Sequence, residues 1–244
     1  VLFPRHDDGA RLRGAGCFER NDLQYHWRNR DYADFADFAA DLSSEKRKKM
    51  LRERRRVTEA GLQHRWQAGE ELSEAEWAQI YALYANTYDE RGQLPYLNLQ
   101  FFLDYARAPG SPVRLVSAFD GERRVAVAIT IQSGDSLYGR HWGAAEHYHS
   151  LHFETCYHQG IEYCIRHGLR HFDAGTQGLH KLARGFLPEI TRSFHRLTDP
   201  GLHTVIAQAT ARERRQVARY RAELARHSPF RERDALPLSG PAGS

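Results

Sequence analysis

The chain has 244 residues, 41 % of them hydrophobic and 27 % charged, which is ordinary for a globular protein able to bury a core. Its longest strand-like apolar run, Val125–Ile131, falls far short of the roughly 20 residues a membrane helix needs, and the charged opening Val1–Gly16 lacks the apolar stretch of a signal peptide. Three cysteines, Cys17, Cys156 and Cys164, make no disulfide framework, so a reducing, cytoplasmic setting is expected.

The net charge of +4 is unevenly spread: Ser43–Arg56 alone holds eight Lys/Arg against two Glu, a concentration that favours phosphate-bearing partners. In chain order, Val1–Arg20 reads as loop with a break at Gly14–Gly16, and Leu23–Arg28 reads as a strand. Asp34–Leu42 is helical. Ser43 or Ser44 caps the basic helix that follows, whose few apolar residues (Met50, Leu51, Val57) make it a solvated arm or a surface for an anion. Leu62–Trp66 is a short strand. Ser73 with Glu76 makes a capping box, and Trp77, Ile80, Tyr81, Tyr84 and Tyr88 form one stripe on the helix it opens. Gly92 and Pro95 break that helix, and Asn98–Arg107 is another.

Three strands follow, Val113–Phe119, Arg124–Ser133 and Leu137–Trp142, joined by turns at Asp120-Gly121 and Gly134-Asp135 into a meander. Leu151–His167 is one long helix closed by Gly168, Arg170–Ala174 a strand, and Lys181–Phe186 a short helix or turn. Thr191–Leu197 is a strand and Val205–His227 a terminal helix. The Pro- and Gly-rich end, Phe230–Ser244, reads as a disordered tail. This order predicts an α+β domain with a central, mixed, mostly antiparallel sheet flanked by helices, the order of a GNAT (acyl-CoA N-acyltransferase) module.

Six strings in this order carry a resemblance: QYHWRNRDY (Gln24–Tyr32), LSSEKRKKMLRERRR (Leu42–Arg56), LPYLNLQFF (Leu94–Phe102), LYGRHWGAAE (Leu137–Glu146), LHFETCYHQGIEY (Leu151–Tyr163) and GTQGLHKLARGFLP (Gly175–Pro188). The sequence resembles bacterial FemAB-like proteins, described as predicted N-acyltransferases of the peptidoglycan-biosynthesis type. The resemblance implies a domain at 61–231, a basic connecting helix at 43–60 and, at 1–42, the C-terminal remnant of a preceding GNAT-like module, with 232–244 as tail. The opening Val, in place of Met, suits a fragment. The resemblance also implies transfer of an acyl or aminoacyl group to an amine, as on a peptidoglycan precursor. The donor is then a co-substrate, aminoacyl-tRNA or acyl-CoA, and no cofactor is tightly bound. It places Lys181 beside the acceptor's phosphates or the reacting carbonyl, although LARGF after the lysine matches the family only approximately.

Acyl transfer needs a base, oxyanion donors and a grip on the donor's phosphates. Arg184 lies three residues from Lys181, and His180 and Gln177 share its loop. Glu154, His152 and Tyr157 sit on the long helix, with Glu154 and His158 four apart, and Glu154 is the candidate base or orienter. Arg140 and Trp142 end the third meander strand, placed for a phosphate and a donor channel. Lys46 and Arg47 open the basic helix, which can touch nucleic-acid phosphates. His141, His147, His149, His152 and Glu146 crowd together without a zinc spacing, and no metal is expected. The glycine loop that cradles a CoA pyrophosphate is missing, since Trp142–Ser150 holds only Gly143. A CoA-dependent GNAT acetyltransferase and a non-catalytic module binding RNA or an anionic ligand are the alternative functions.

Overall fold

Backbone pairing and packing divide the chain into two units in the computed structural model, which describes residues 1–4, 8–175 and 178–231. Val1–His26 folds with Thr176–Ser228, and Trp27–Gly175 folds with the residues from Pro229 onward. Gln177 and the expected tail at 232–244 lie outside the described residues.

The first unit begins with α1 (Asp8–Gly14) and β1 (Phe18–Arg28). Both begin inside the stretch expected to be loop. The strand starts early because its partner is distant in sequence: Phe18 pairs His195 and His26 pairs Leu187, nine antiparallel pairs in one register. A local reading cannot see such a partner.

The chain enters the second unit inside β1, at Trp27, whose ring is fully buried. There follow α2 (Phe35–Asp41), α3 (Ser44–Glu59), β2 (Leu62–Ala68), α4 (Glu74–Asp89) and α5 (Leu99–Arg107). Asp34 caps α2, the Ser73–Glu76 box caps α4 and Asn98 caps α5, each side chain accepting from the backbone N–H three residues on. The sheet consists of β2, β3 (Val113–Asp120), β4 (Arg123–Ser133) and β5 (Ser136–Ala144), antiparallel in that order, with β6 (His171–Asp173) parallel to β5. Gly121 and Gly134 make the two meander turns at φ 57° and 58°, where a Cβ would be strained.

Two cores flank this sheet. The stripe of α4 joins Phe102, Leu103, Leu115, Val127 and Ile129, while Val57 of the basic helix joins Leu62, Ala118, Val125, Ala126 and Leu151. The continuous apolar run of β4 is thus explained by covering on both sides. Met50, Glu53 and Val57 are the buried face of α3, so this helix is packed along one side rather than being a solvated arm.

The long helix is not uniform. It consists of α6 (Leu151–Phe153), a π-helical turn (Glu154–His158) and α7 (Gln159–Arg166). The Gln159 N–H bonds the Glu154 carbonyl five residues back, which inserts one residue and rotates the groups beyond it. Phe172 packs its ring on Gly160, where any Cβ would lie 2.3 Å from the ring.

The chain returns to the first unit through a 3₁₀ turn (Leu179–Arg184), β7 (Leu187–His195) and α8 (Pro200–Ala225). β7 begins four residues before the expected Thr191, carried by its pairing to β1 despite Pro188. The terminal helix begins before the expected Val205, because Asp199 accepts from the Leu202 N–H at 2.7 Å and Pro200 fits the first helical turn.

Gly143 of β5 touches the backbone of α4: a Cβ there would lie 2.1 Å from the Leu83 carbonyl oxygen. Gly143→Ala should therefore destabilise the fold by about 3 kcal/mol, the upper range of overpacking, because backbone rather than a movable side chain is in the way. Urea denaturation measures this, and a loss within the error of the midpoint would contradict the close approach.

Candidate functional site

β5 has two unlike edges. On the β4 side the register slips, with Ile129 opposite His141 and Thr130 opposite Gly139, so Arg140 is the extra, bulged residue. On the β6 side only Ser136–Tyr138 pairs, with His171–Asp173. Among the described residues, Gly139–Ala144 takes no ladder partner on that edge. β6 is paired along its whole length, so β5 runs on past its end from Gly139. Gly139 lies against the chain that leaves β6: a Cβ there would lie 3.4 Å from the Ala174 Cα. Arg140, His141 and Trp142 are the residues of β5 immediately beyond it.

Three of the expected site residues come together there. The Trp142 ring stands edge-on to His152 at 5.2 Å, and His152 stands edge-on to Tyr157 at 5.4 Å. α4 secures this end of β5: Thr87 Oγ1 donates to the Trp142 carbonyl at 2.8 Å and Asn86 Nδ2 to the Ala144 carbonyl at 3.3 Å. Tyr157 is buried and His152 half-buried.

Glu154 lies at the start of the π turn with its carboxylate fully engaged. Oε1 accepts from Gln159 Nε2 at 2.8 Å and lies 3.2 Å from Arg54 Nε, and Oε2 lies 2.9 Å from His158 Nδ1. His158 is fully buried, and its other nitrogen lies 3.4 Å from the buried carboxylate of Glu53. Arg54 also donates to Glu162 at 2.5 Å and stacks 4.1 Å above the Phe35 ring. Burial is the largest influence on the Glu154 carboxyl and opposes its ionisation, but His158, Arg54 and Gln159 together outweigh it and lower its pKa from 4.5 to about 2. The same network reaches His64, whose Nε2 lies 2.9 Å from Thr155 Oγ1 and whose pKa is lowered, by burial first.

The histidine-rich stretch disperses. His141 packs edge-on against Tyr84 at 5.0 Å, His149 turns to Arg56 at 3.2 Å and Ser150 at 2.7 Å, and Glu146 pairs with Arg123 at 2.5 Å. Among the described residues no three metal-ligating side chains converge. Burial, then the Arg140 charge, lowers the pKa of His141 to about 4, so its ring is neutral at pH 7.

Lys181 and Arg184, in the other unit, share the 3₁₀ turn and are both buried, with Arg184 NH1 donating to the His180 carbonyl at 2.6 Å. Gly178 and Gly185 bracket that turn at φ 112° and 92°. His180 itself is exposed. On α3, Lys46 is half-buried and 3.0 Å from Glu45, and Arg47 is half-buried, while Lys48, Lys49, Arg52 and Arg55 are exposed. Glu53 and Arg54 join the Glu154 network only through the fold. An acid alone in the middle of a basic run was the signal available for Glu53.

A family model described as peptidoglycan biosynthesis/recognition, FemAB_like, matches residues 1–232. The chain belongs to the FemAB-like family. Solved structures share its fold at low identity. The C-terminal domain of a putative lysylphosphatidylglycerol synthetase from Agrobacterium fabrum is 8 % identical with a TM-score of 0.59, covering 83 % of this chain and 68 % of that one. L-PGS from Bacillus licheniformis is 10 % identical with a TM-score of 0.56, covering 83 % and 69 %. FemX is 10 % identical with a TM-score of 0.50, covering 76 % and 64 %. The FemAB-like chain thus has the α+β, GNAT-like fold expected from its element order. No curated protein matches it in sequence. Among the described residues no helix is long and apolar enough to cross a membrane.

Because the Glu154 pKa is depressed, its ionisation stabilises the fold in full above about pH 4.5, and that contribution fades as pH falls toward about 2. Glu154→Gln should cost about 3 kcal/mol at neutral pH, as expected on removing one partner of a buried charge network. The deficit should shrink steadily below about pH 4.5. Urea denaturation at a series of pH values reads it, and a deficit unchanged by acid would contradict the assignment.

Proposed function

We propose that the protein is an N-acyltransferase that moves an aminoacyl group from aminoacyl-tRNA to an amine, with a peptidoglycan precursor as the acceptor class. The observation that carries this reading is the stretch of β5 that runs past the end of β6, with the Arg140 bulge within it, in a chain of the FemAB-like family. A strand edge that runs past its neighbour can take an acyl group alongside it and offer backbone N–H groups to a developing oxyanion.

In this reading Arg140 grips a donor phosphate and Trp142 lines the channel. Tyr157, backed by His152, is the proton-transfer group at the amine or the leaving oxygen. Glu154 acts as orienter rather than base: a carboxylate with its oxygens engaged and a pKa near 2 is a weak proton acceptor, but it holds the turn that carries Tyr157. Lys181 serves the acceptor's phosphates, with Arg184 and His180 on the same 3₁₀ turn.

Aminoacyl-tRNA is favoured over acyl-CoA as donor by the segment after β5. The Ala145 N–H bonds the Val125 carbonyl, the Leu151 N–H bonds the Tyr148 carbonyl, and His149 and Glu146 are held by Arg56 and Arg123. The Ala145 and Leu151 N–H groups are thereby committed within the protein, where a pyrophosphate cradle would need them free. Lys46, Arg47 and the exposed cations of α3 offer a track for the RNA backbone.

Two measurements test the reading. With charged tRNA and a peptidoglycan peptide, the chain should transfer the amino acid, and Tyr157→Phe should lower kcat about a hundredfold while leaving tRNA binding intact. Transfer from acetyl-CoA, with none from aminoacyl-tRNA, would reverse the donor assignment. Replacing Arg47 and Arg52 by Ala should weaken tRNA binding uniformly across sequences and reduce the salt slope by about one per lost phosphate contact. An unchanged slope would remove α3 from the tRNA interface.

A further inference from the structure

The terminal helix α8 is divided along its length. Its first twelve residues, Pro200–Ala211, hold no Asp, Glu, Lys or Arg, whereas Arg212–Arg226 hold six arginines against two glutamates. The helix is also divided around its axis. Thr210 and Leu224 are buried, Arg214 donates to the Glu19 carbonyl at 2.5 Å and Arg221 to the Pro188 carbonyl at 3.2 Å, so these four face their own unit. The opposite side carries Val205, Arg212, Arg215, Arg219 and Arg226, all exposed.

Two features of this outer side point to its partner. The first is uncompensated charge. Among the described residues none of the four outward arginines takes part in an ion pair. Glu213 is held by both ends of the Arg20 guanidinium, which leaves Glu223 as the exposed acid of the helix. Arg215 and Arg219 stand one turn apart, a like-charge spacing that weakens a helix and is relieved when an anionic surface lies across it. The second is exposed aliphatic surface in the uncharged half: Leu202 is 52 % and Val205 63 % exposed, three residues apart on adjacent turns. RNA would use the arginines but gains nothing from Leu202 and Val205. A bilayer of anionic phospholipid uses both, because aliphatic side chains sink below the headgroups while guanidinium groups stay at their phosphates.

We propose that the outer side of α8 is a membrane-surface contact, lying along an anionic phospholipid bilayer with Leu202 and Val205 below the headgroups and Arg212, Arg215 and Arg219 on the phosphates. The helix lies on the bilayer and does not cross it, since its uncharged half falls well short of the roughly 20 residues a span needs. The inference is independent of the acyltransferase reading, because neither β5 nor the π turn takes part in it.

Co-sedimentation of the full chain with vesicles tests it, using phosphatidylcholine alone and phosphatidylcholine mixed with phosphatidylglycerol. The chain should pellet with the mixed vesicles and stay in solution with phosphatidylcholine alone, and rising salt should release it. Arg212→Ala combined with Arg219→Ala should weaken binding about twenty-fivefold, on the order of fivefold for each arginine. Leu202→Gln combined with Val205→Gln should weaken it about tenfold and leave the salt dependence unchanged. All four positions are exposed, and circular dichroism verifies that the variants fold. Replacing Arg47 and Arg52 of α3 by Ala should leave vesicle binding intact, which separates the two cationic helices. The proposal is overturned if the mixed vesicles leave the chain in solution, if either α8 variant binds as tightly as the parent, or if the α3 variant loses as much binding as the α8 arginine variant. Binding of a duplex RNA through Arg212 and Arg219, with no binding to vesicles, would assign this side to nucleic acid and overturn it as well.

Discussion

Glu154 has to be buried and ionised at once, and much of its unit is arranged around that demand. A lone carboxylate away from water is costly enough to protonate or to prevent folding. Here an arginine, an imidazole and an amide converge on it, drawn from α3, the π turn and α7. The π turn makes this convergence possible. By inserting one residue it lets His158 and Gln159 both reach the Glu154 carboxylate. His152 and Tyr157 flank Glu154 on the same stretch, so the charge network sets where the aromatic end of the site stands.

The basic helix gains a second role from this arrangement. Its composition suggests a solvated arm, but one face is as constrained as a core helix. Met50 and Val57 pack among apolar neighbours, Glu53 faces His158, and Arg54 bridges two carboxylates above a phenyl ring. The opposite face keeps Lys48, Lys49, Arg52 and Arg55 in solvent. One helix thus holds the π turn in place and presents a cationic surface. An anion bound to the outer face would meet a rigid element, because the inner face is anchored by paired charges that are costly to separate.

β5 supplies the remaining constraint. Its bulge breaks the regular alternation at Arg140, the end of β6 leaves Gly139–Ala144 without a ladder partner on that edge among the described residues, and Gly143 lets α4 press against its end. A regular ladder would turn Arg140 back into register, a longer β6 would pair the rest of that edge, and a side chain at residue 143 would push α4 away. The segment that follows is tied down by its own hydrogen bonds and ion pairs.

The elements themselves were largely legible because their signals are local. The capping box at Ser73 and Glu76, the Asn98 cap, the stripe from Trp77 to Tyr88 and the glycine turns at Gly121 and Gly134 each lie within a few residues of the structure they specify. The i,i+4 pairing of Glu154 with His158 was legible for the same reason. The start of β1 at Phe18 was not, since its partner β7 lies far along the chain. Nor was the π turn, because a single inserted residue leaves the apolar periodicity nearly unchanged. The sequence by itself determined the order of elements, the family and the residue types available for chemistry. Only the tertiary structure decided that Arg140 is a bulge just past the end of β6, that Arg54, His158 and Gln159 hold the Glu154 carboxylate, and that Tyr84, Tyr88 and Tyr96 pack beside His141. Those outcomes depend on contacts between distant segments, and the energies that choose among such contacts come from burial and charge pairing rather than from local propensity.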